Sequence, residues 1–449
     1  MQSSFDQQIS AAGLVPGDKL LVAVSGGIDS VVLLHLLHSV AAARRLQLSV
    51  AHLDHRIRPE SVADADFVRR LCVDWGIPCV VESRDIPQLA VAQKISLEMA
   101  GRQARREFLL RQADQVGARL IALAHHRDDQ VETFLLRLLR GSGVAGLAAM
   151  RPLRDCWWRP LLECSRDEIL NYARQQQLEW VEDVSNVDTI YLRNRLRHQL
   201  LPQLRDVNPQ LDRRLAELCR QLQVDDDYWR RQVAEILPSV TLASEDGLRL
   251  DRRSLLALPE ALRVRVLREA LRQVRGDIQR LEAVHLHAVT DLLSSERSQA
   301  QLDLPACWVA RRYEQLWLRR RAAKRLPAYD LPLSVPGELQ LPCGRSLRAQ
   351  LRDEVTGEST WVAEFSLAGL KEPLRVRNWR AGDRFEPQGL AGSKRLKRLF
   401  SDQQIELEER LRVPLLVSGE TILWVVGLRR SRRAPVVAKP GEILHLALR

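Results

Sequence analysis

The sequence predicts an α/β protein: an N-terminal doubly wound parallel sheet, then a helical domain, then a small α+β C-terminal domain. Three observations carry this. Between residue 19 and about 150, short apolar runs alternate with helical patterns, as they do when helices cross over between parallel strands. From about 208 to 290 the chain reads as long amphipathic stretches rich in Leu and Arg. From about 329 onward, Pro, Gly and β-branched runs return. The length of 449 residues suits about three domains, expected at 1–207, 208–328 and 329–449.

In the first part, strands are expected at Lys19–Val24, Leu46–Leu53, Cys79–Glu82 and Leu120–Ala124. Helices are expected at Ser30–Ala43, Glu60–Trp75, Ser96–Val116 and Asp129–Leu139. Ligands of such a sheet sit at the carboxyl ends of its strands. The segments Ser25–Ser30, Asp54-His55 and His125-His126 each follow a strand end, so they should share one crevice. Further on, helices are expected at Pro209–Glu235, Pro259–Arg275 and near Ile278–Leu293, followed by a strand-like Cys307–Arg319. Arg319–Pro327 reads as a linker, and Leu339–Leu341, Leu374–Arg377, Leu415–Val417 and Thr421–Val426 read as strands.

Hydrophobic content of 45% and charged content of 28% are those of a soluble globular protein. No apolar run is long enough to cross a membrane, and the opening Met1-Gln2-Ser3-Ser4 has no basic and apolar head, so neither a span nor a secretory leader is expected. The seven cysteines form no Cys-x-x-Cys pair, which suits a reducing cytoplasm. Net charge is +11, which makes a polyanion such as nucleic acid the leading partner. A coding bias toward Arg would produce much of the same excess, so charge alone decides little.

The chemistry starts at Ser25-Gly26-Gly27-Ile28-Asp29-Ser30, between the apolar run Leu20–Val24 and the periodic run Val31–Leu37. A glycine-rich turn from strand to helix aims backbone N–H groups at one spot beside the positive end of the helix dipole, and so binds phosphate. Two glycines let the backbone approach an anion closely, and Ser25 and Ser30 add hydroxyls. Asp29 would be repelled by phosphate unless a cation such as Mg²⁺ lay between them. A capped tight turn explains the same residues structurally. No Gly-Lys-Ser/Thr and no Gly-x-Gly-x-x-Gly accompanies them, so ordinary triphosphatase and dinucleotide readings lose ground.

Three other segments carry polar chemistry. In Ala51–Ser61, His55 and Arg58 are candidates to line the crevice, although a polar loop with a helix start explains them equally. In Glu98–Arg106, Glu98, Arg102, Arg105 and Arg106 share a helix face, which is a solvated surface unless a ligand meets it. In His125–Thr133, Asp129 and Glu132 lie three apart at a helix start and could hold Mg²⁺ or an ammonium; acidic residues also favour that position for dipolar reasons. His125-His126 lack a suitably spaced third ligand, which argues against zinc. Gly141-Ser142-Gly143-Val144-Ala145-Gly146 ends that helix as a mobile loop or an RNA-contacting turn.

The hexapeptide resembles the Ser-Gly-Gly-x-Asp-Ser loop of the N-type ATP pyrophosphatases, the PP-loop superfamily with its adenine nucleotide alpha hydrolase-like fold. Nearly the whole chain resembles one of its families, the tRNA(Ile)-lysidine synthetases. The likeness runs through Ser25–Ser30, Ala51–Ser61, Glu98–Arg106, His126–Met150, Arg159-Pro160-Leu161-Leu162, Trp180–Asn186 and Arg193-Asn194-Arg195-Leu196-Arg197. It ends with Gly382-Asp383-Arg384-Phe385 and Lys394-Arg395-Leu396-Lys397-Arg398. Gly101 and Arg106 stand where the family pattern has Ala and Tyr.

The resemblance implies a cytoplasmic enzyme acting on ATP, L-lysine and the wobble cytidine of the isoleucine tRNA with anticodon CAU, with lysidine as product. It implies that Ser25, Gly26, Gly27, Ile28, Asp29 and Ser30 hold ATP together with His55 and Arg58, and that Asp29 holds Mg²⁺. Asp129 and Glu132 would grip the lysine ammonium or take its proton, and Arg102 and Arg105 would meet the lysine carboxylate or phosphates. Asp29, Arg105, Asp129 and Glu132 are thus the expected catalytic residues. Arg140, Arg193, Asn194, Arg197, Arg384, Lys394, Arg395, Lys397 and Arg398 would meet tRNA. Eight basic residues fall between Arg375 and Arg398, interleaved with Trp379 and Phe385, which suits a phosphate backbone with stacking. A homodimer is compatible with the sequence and not required by it.

Other readings differ in what they need. A tRNA thiolase would use catalytic cysteines, and only Cys72 and Cys79 fall in the first 150 residues. Amide-forming pyrophosphatases leave the basic C-terminal half unexplained. A non-catalytic RNA-binding scaffold leaves the intact Ser25–Ser30 and Asp128–Thr133 motifs unexplained.

Overall fold

The computed structural model describes residues 2–57, 61–182, 192–244, 246–277, 281–321, 326–389, 392–433 and 443–449. Two compact units form, Met1–Arg230 and Arg231–Arg449. Arg58 and the stretch 183–191 lie outside the described residues.

The first unit is built on strands β1 (Lys19–Ala23), β2 (Gln47–Asp54), β3 (Cys79–Ser83), β4 (Leu120–Ala122), β5 (Leu153–Arg154) and β6 (Trp157–Trp158). Their order across the sheet is β3-β2-β1-β4-β6-β5. Every pairing is parallel except that of β5 with β6. The four strands read from the sequence are all present, and the β5–β6 hairpin is added at the edge. Its two tryptophans, Trp157 and Trp158, are buried.

After Lys19, β1 is apolar because helices cover both of its faces. Leu20, Val22 and Val24 join a core with helix α2 (Ile28–Arg44), whereas Leu21 points into a second core with Ala104 and Phe108. Full burial of each such leucine contributes roughly 1.5–3 kcal/mol. Strand order runs one way from β1 to β2 and the other way from β1 to β4. The switch point therefore lies between β1 and β4, where an open α/β sheet leaves a crevice. The loop Ser25–Ser30 follows β1, and His125-His126 follows β4, so both border that crevice.

Two helices complete the site. Helix α3 (Leu97–Val116) is capped by the Ser96 hydroxyl, which accepts from the Met99 N–H at 3.2 Å. A Cβ at Gly101 would meet His55 Nδ1 and Ile86 at 3.7 Å, ordinary van der Waals contact, so the missing methyl is no steric requirement. The Arg106 guanidinium lies 5.2 Å from the centroid of the Trp157 ring, a cation–π contact that packs this position without a tyrosine. Helix α4 (Arg127–Leu139) starts directly after His126.

In the second unit, helices Glu260–Arg275 and Ala283–Ser294 pack on a five-stranded antiparallel sheet. That sheet contains Leu248–Asp251, Gln299–Leu304, Cys307–Arg312 and Gln315–Arg319. The last two form the expected strand-like Cys307–Arg319; Gln299–Leu304 was not read as a strand, although its polar and apolar residues alternate. Arg312, the last residue of Cys307–Arg312, is buried. It donates from Nε to Glu408 at 2.8 Å and from Nη1 to the Ala300 carbonyl at 3.0 Å. Toward the C-terminus lie a five-stranded sheet including Leu374–Arg377, Leu415–Ser418 and Thr421–Val425, and a four-stranded sheet including Ser346–Arg352, Val362–Ser366 and Ile443–Leu448. No helix among the described residues is long and apolar enough to cross a membrane.

Glu364 is a buried carboxylate in that four-stranded sheet. It accepts from the Thr356 hydroxyl at 2.6 Å and from the Thr356 N–H at 3.1 Å, and it meets His445 Nδ1 at 3.0 Å. Burial works against its charge, but these donors pull its pKa down to about 2 from 4.5. A carboxyl that titrates lower in the folded state stabilises fully above its unfolded pKa and loses that effect as pH falls through the folded value. Glu364→Gln is expected to cost about 1–3 kcal/mol at neutral pH. The deficit should shrink as pH falls from 4.5 toward about 2, as measured by denaturant melts across that range.

Candidate active site

The loop after β1 is held in shape by its own serines. Ser30 Oγ donates to the Gly27 carbonyl at 2.8 Å and accepts from the Ser25 N–H at 3.1 Å. The Gly27 N–H reaches Ser25 Oγ at 3.4 Å. Gly26 has φ +92°, a conformation a side chain strains to adopt. Its carbonyl accepts from the Val181 N–H at 3.0 Å. Ser30, expected as a hydroxyl donor to phosphate, spends its proton inside the loop. His52, buried on β2, contacts the Val24 carbonyl at 2.8 Å through Nδ1 and braces the loop from below.

His126 ties this loop to the start of α4. Its Nε2 lies 3.7 Å from Asp29 Oδ2 and 3.5 Å from Asp129 Oδ2, and its Nδ1 lies 3.6 Å from Asp128 Oδ1. The ring is 3% exposed. Burial opposes its positive form, but Asp128, Asp129 and Asp29 together raise its pKa. His126 lies at the crevice, as its place after a strand end predicts. The signal for its role as a hub was its position, between a strand end and two consecutive aspartates.

Burial raises the Asp29 pKa, with His126 pulling the other way. Asp29 Oδ1 is buried and has no hydrogen-bond partner among the described residues. A bare carboxylate oxygen beside a phosphate-binding turn fits a divalent cation whose remaining ligands come from a nucleotide. Among the described residues no group of three or more His, Cys, Asp or Glu could hold a metal, so protein ligands alone make no closed metal cage.

Asp129 and Glu132 share one face of α4 as expected, and both meet arginines. Glu132 is fully buried. Its Oε2 accepts from Arg193 Nε at 2.7 Å and its Oε1 from Arg197 Nε at 2.5 Å. Asp129 Oδ1 accepts from Arg193 Nη2 at 2.7 Å, and its Oδ2 accepts from the His126 N–H at 3.1 Å. Burial pushes the Asp129 pKa up, but His126, Arg193 and His125 outweigh it and hold the carboxyl below its ordinary value. Arg193 and Arg197 come from helical turns beyond residue 191, so this ion network joins two segments distant in sequence. Arg205 adds a bridge to Asp128 at 2.8 Å.

Two neutral histidines border the same region. Burial lowers the His125 pKa to about 3 and the His55 pKa to about 4, with Arg105 adding to both. Each has a buried Nδ1 without a hydrogen-bond partner among the described residues. Arg105 is therefore close to His55, His125, Asp129 and Arg193. Arg102 is exposed one turn earlier on α3. Arg140 is exposed at the far end of α4, about 16 Å along the helix from Asp129 at 1.5 Å per residue. Asn194 lies on the same helical turn as Arg193.

In the second unit, the basic run from Arg375 to Arg398 is partly neutralised. Arg375 and Arg380 pair with Asp330, Arg377 with Asp383, and Lys394 with Asp402. Arg384 donates to Ser393. Arg384, Arg395, Lys397 and Arg398 are exposed. Phe385 is in the core and Trp379 packs edge-on against Phe400, so the interleaved aromatics expected as stacking surfaces are structural.

A PP-loop domain model matches residues 1–204, a TilS substrate binding domain model residues 250–317, and a TilS substrate C-terminal domain model residues 374–443. The tRNA(Ile)-lysidine synthase of Geobacter sulfurreducens is 38% identical over 434 residues, covering 94% of this chain and 91% of the relative. The chain belongs to the tRNA(Ile)-lysidine synthase family. The Solibacter usitatus member is 36% identical over 446 residues, covering 95% and 98% of the two chains. The Geobacillus kaustophilus member is 34% identical over 430 residues, covering 93% and 92%. The ion network of α4 thus sits within the PP-loop domain of a tRNA(Ile)-lysidine synthase family chain.

Both oxygens of Glu132 are engaged by guanidinium groups in a buried setting. Glu132→Ala leaves two arginines facing an uncompensated site, a change that costs about 3–5 kcal/mol. Thermal or denaturant melts of the full chain should show that deficit, and Glu132→Gln should show a smaller one.

Proposed function

We propose that this chain ligates L-lysine to C2 of the wobble cytidine of the CAU-anticodon isoleucine tRNA, with ATP cleaved to AMP and pyrophosphate. The observation that carries the proposal is the coupling, through His126, of the phosphate-type loop and Asp29 to the acidic start of α4. An activating site and an amine-holding site stand side by side. Membership of the family supports the substrate identities.

The cytosine C2 oxygen is a poor leaving group until it is joined to AMP. In the first step it attacks the α-phosphate of ATP and pyrophosphate leaves. The loop Ser25–Ser30, at the positive end of the α2 dipole, holds the phosphates, with His55 and Arg58 as further nucleotide-binding residues. Mg²⁺, held by Asp29 and the phosphates, would supply charge neutralisation for that departure. In the second step the lysine ε-amine attacks C2 and AMP leaves. A free lysine amine has a pKa of about 10.4, so it must lose a proton before it attacks.

Asp129, kept ionised by its neighbours, is suited to hold the ammonium and to accept its proton as the amine attacks. Glu132 fixes Arg193 and Arg197 around it and acts as a positioning residue. Arg102 and Arg105 take the lysine carboxylate or a phosphate, and Arg193, Asn194 and Arg197 close the site toward the tRNA with Arg140 further out. In the second unit Arg384, Lys394, Arg395, Lys397 and Arg398 hold the phosphate backbone, and localisation is cytoplasmic.

Incubation with ATP, labelled lysine and an unmodified CAU-anticodon transcript is expected to give lysidine on nucleoside analysis, with AMP and pyrophosphate released. A transcript whose wobble base is not cytidine should stay unlabelled. Failure to incorporate lysine with all three substrates present would reject the proposal. Asp29→Ala should abolish tRNA-dependent pyrophosphate release while leaving tRNA binding intact; release at the parent rate would remove Asp29 from the metal site. Changing Lys394, Arg395, Lys397 and Arg398 to Ala should raise the tRNA KM and lower the salt slope of log K by about 0.7–0.9 for each phosphate no longer neutralised, with the ATP KM unchanged.

A further inference from the structure

Beside the active site lies a group of arginines that the proposed chemistry leaves without a task. Arg106 on α3, Arg137 on α4, Arg154 in the β5–β6 hairpin and Arg159 just after β6 stand near one another, with Arg102 at the edge toward the pocket. Arg106 stacks on Trp157, which is the register partner of Arg154 across the hairpin, and Arg137 and Arg159 both donate to backbone carbonyls between Gly146 and Arg151; their mutual repulsion agrees with this placement. The Arg159 pKa falls to about 10, through burial and then through Arg102, Arg154 and Arg106. Arg137 is lowered by burial and then by Arg102 and Arg154.

Among the described residues, Arg102, Arg106, Arg137 and Arg159 have no carboxylate partner, and Arg154 has only an exposed contact of 4.0 Å with Asp155. Arg159 Nε is buried and has no hydrogen-bond partner among the described residues. Clustered guanidinium groups repel, and the interaction weakens only with screening or a counter-charge. Several cations gathered in one place, one of them with a buried and unpartnered guanidinium N–H, suit an external anion.

The group is also held firmly. Arg106 stacks on Trp157. Arg137 Nη1 donates to the Gly146 carbonyl at 2.6 Å and the Ala149 carbonyl at 3.2 Å, and Arg159 Nη1 donates to the Arg151 carbonyl at 3.0 Å. Gln130 holds both the N–H and the carbonyl of Met150, at 2.9 and 2.8 Å. The glycine-rich turn after α4 is therefore pinned at its far end and framed by the cationic group.

We infer that Arg106, Arg137, Arg154 and Arg159 form a binding surface for the phosphates of the RNA strand flanking the target base. This rests on the proposed function, since a base entering the pocket brings its neighbouring phosphates to the pocket's rim. The phosphates of ATP are the other anion at hand, but they belong at the Ser25–Ser30 loop beyond β1. The arginines spread over three elements on the β4–β6 side, which suits consecutive phosphates along a strand.

The test uses the full chain with the R106Q/R154Q double variant, because these two side chains are exposed and hold no backbone carbonyl. The probe is a short RNA hairpin carrying the anticodon arm. Its Kd is expected to rise roughly tenfold, and the salt slope of log K to fall by about 0.7 for each phosphate that the variant no longer neutralises. The ATP KM, and turnover at saturating RNA, should not move. R106K/R154K, which keeps the point charges, should retain most of the affinity. An unchanged hairpin Kd and salt slope in R106Q/R154Q, with a wild-type chain that modifies tRNA, overturns this surface and spares the proposed function. A raised ATP KM with unchanged hairpin binding overturns it in favour of a nucleotide site. A wild-type chain that neither binds nor modifies RNA overturns both.

Discussion

Glu132 occupies a fully buried position, and a carboxylate survives there only with counter-charges and hydrogen bonds. Arg193 and Arg197 supply both. Because the arginines come from beyond residue 191 and the carboxylate from α4, their pairing fixes the outer helical turns against the sheet. Asp129 shares Arg193, and His126 passes the coupling on to Asp29 in the phosphate-type loop. A change of charge at any of these positions is felt by the others, so the glycine-rich loop and the start of α4 are electrostatically one site.

Such a network explains why two residues on one helix face need not play the same part. Asp129 and Glu132 have the same charge and lie on the same face in the sequence. In the fold, Glu132 is closed off by two guanidinium groups, whereas Asp129 lies beside Arg105, His125 and His126 at the mouth of the crevice. Buried ion pairs of this kind are weak contributors to net stability but costly to break on one side. Here they hold charged groups in fixed positions.

Basic residues in the two units are used differently. In the second unit a run that counts as eight cations loses half of them to Asp330, Asp383 and Asp402. In the first unit, Arg106, Arg137, Arg154 and Arg159, scattered through the sequence, gather from α3, α4 and the β5–β6 hairpin, and among the described residues only Arg154 of these has a carboxylate contact, at 4.0 Å from Asp155. Linear charge density therefore overstated one surface and concealed the other. Surface ion pairs contribute little to stability, yet they decide how much charge remains for a polyanion.

The sequence by itself determined the parallel sheet, its four main strands and the phosphate-type turn, because each depends on local pattern. A strand buried on both faces must be a continuous apolar run, and a turn that approaches an anion must carry Gly26 at positive φ. The position of Asp129 and Glu132 on one helix face was legible for the same reason. Tertiary structure alone decided their partners, since Arg193 and Arg197 lie more than sixty residues away and no local period relates them. It also decided that Phe385 is core and that Arg106 rests on Trp157. Residue type sets what a side chain can bind; only the packing of distant segments sets which groups reach it and which are already taken.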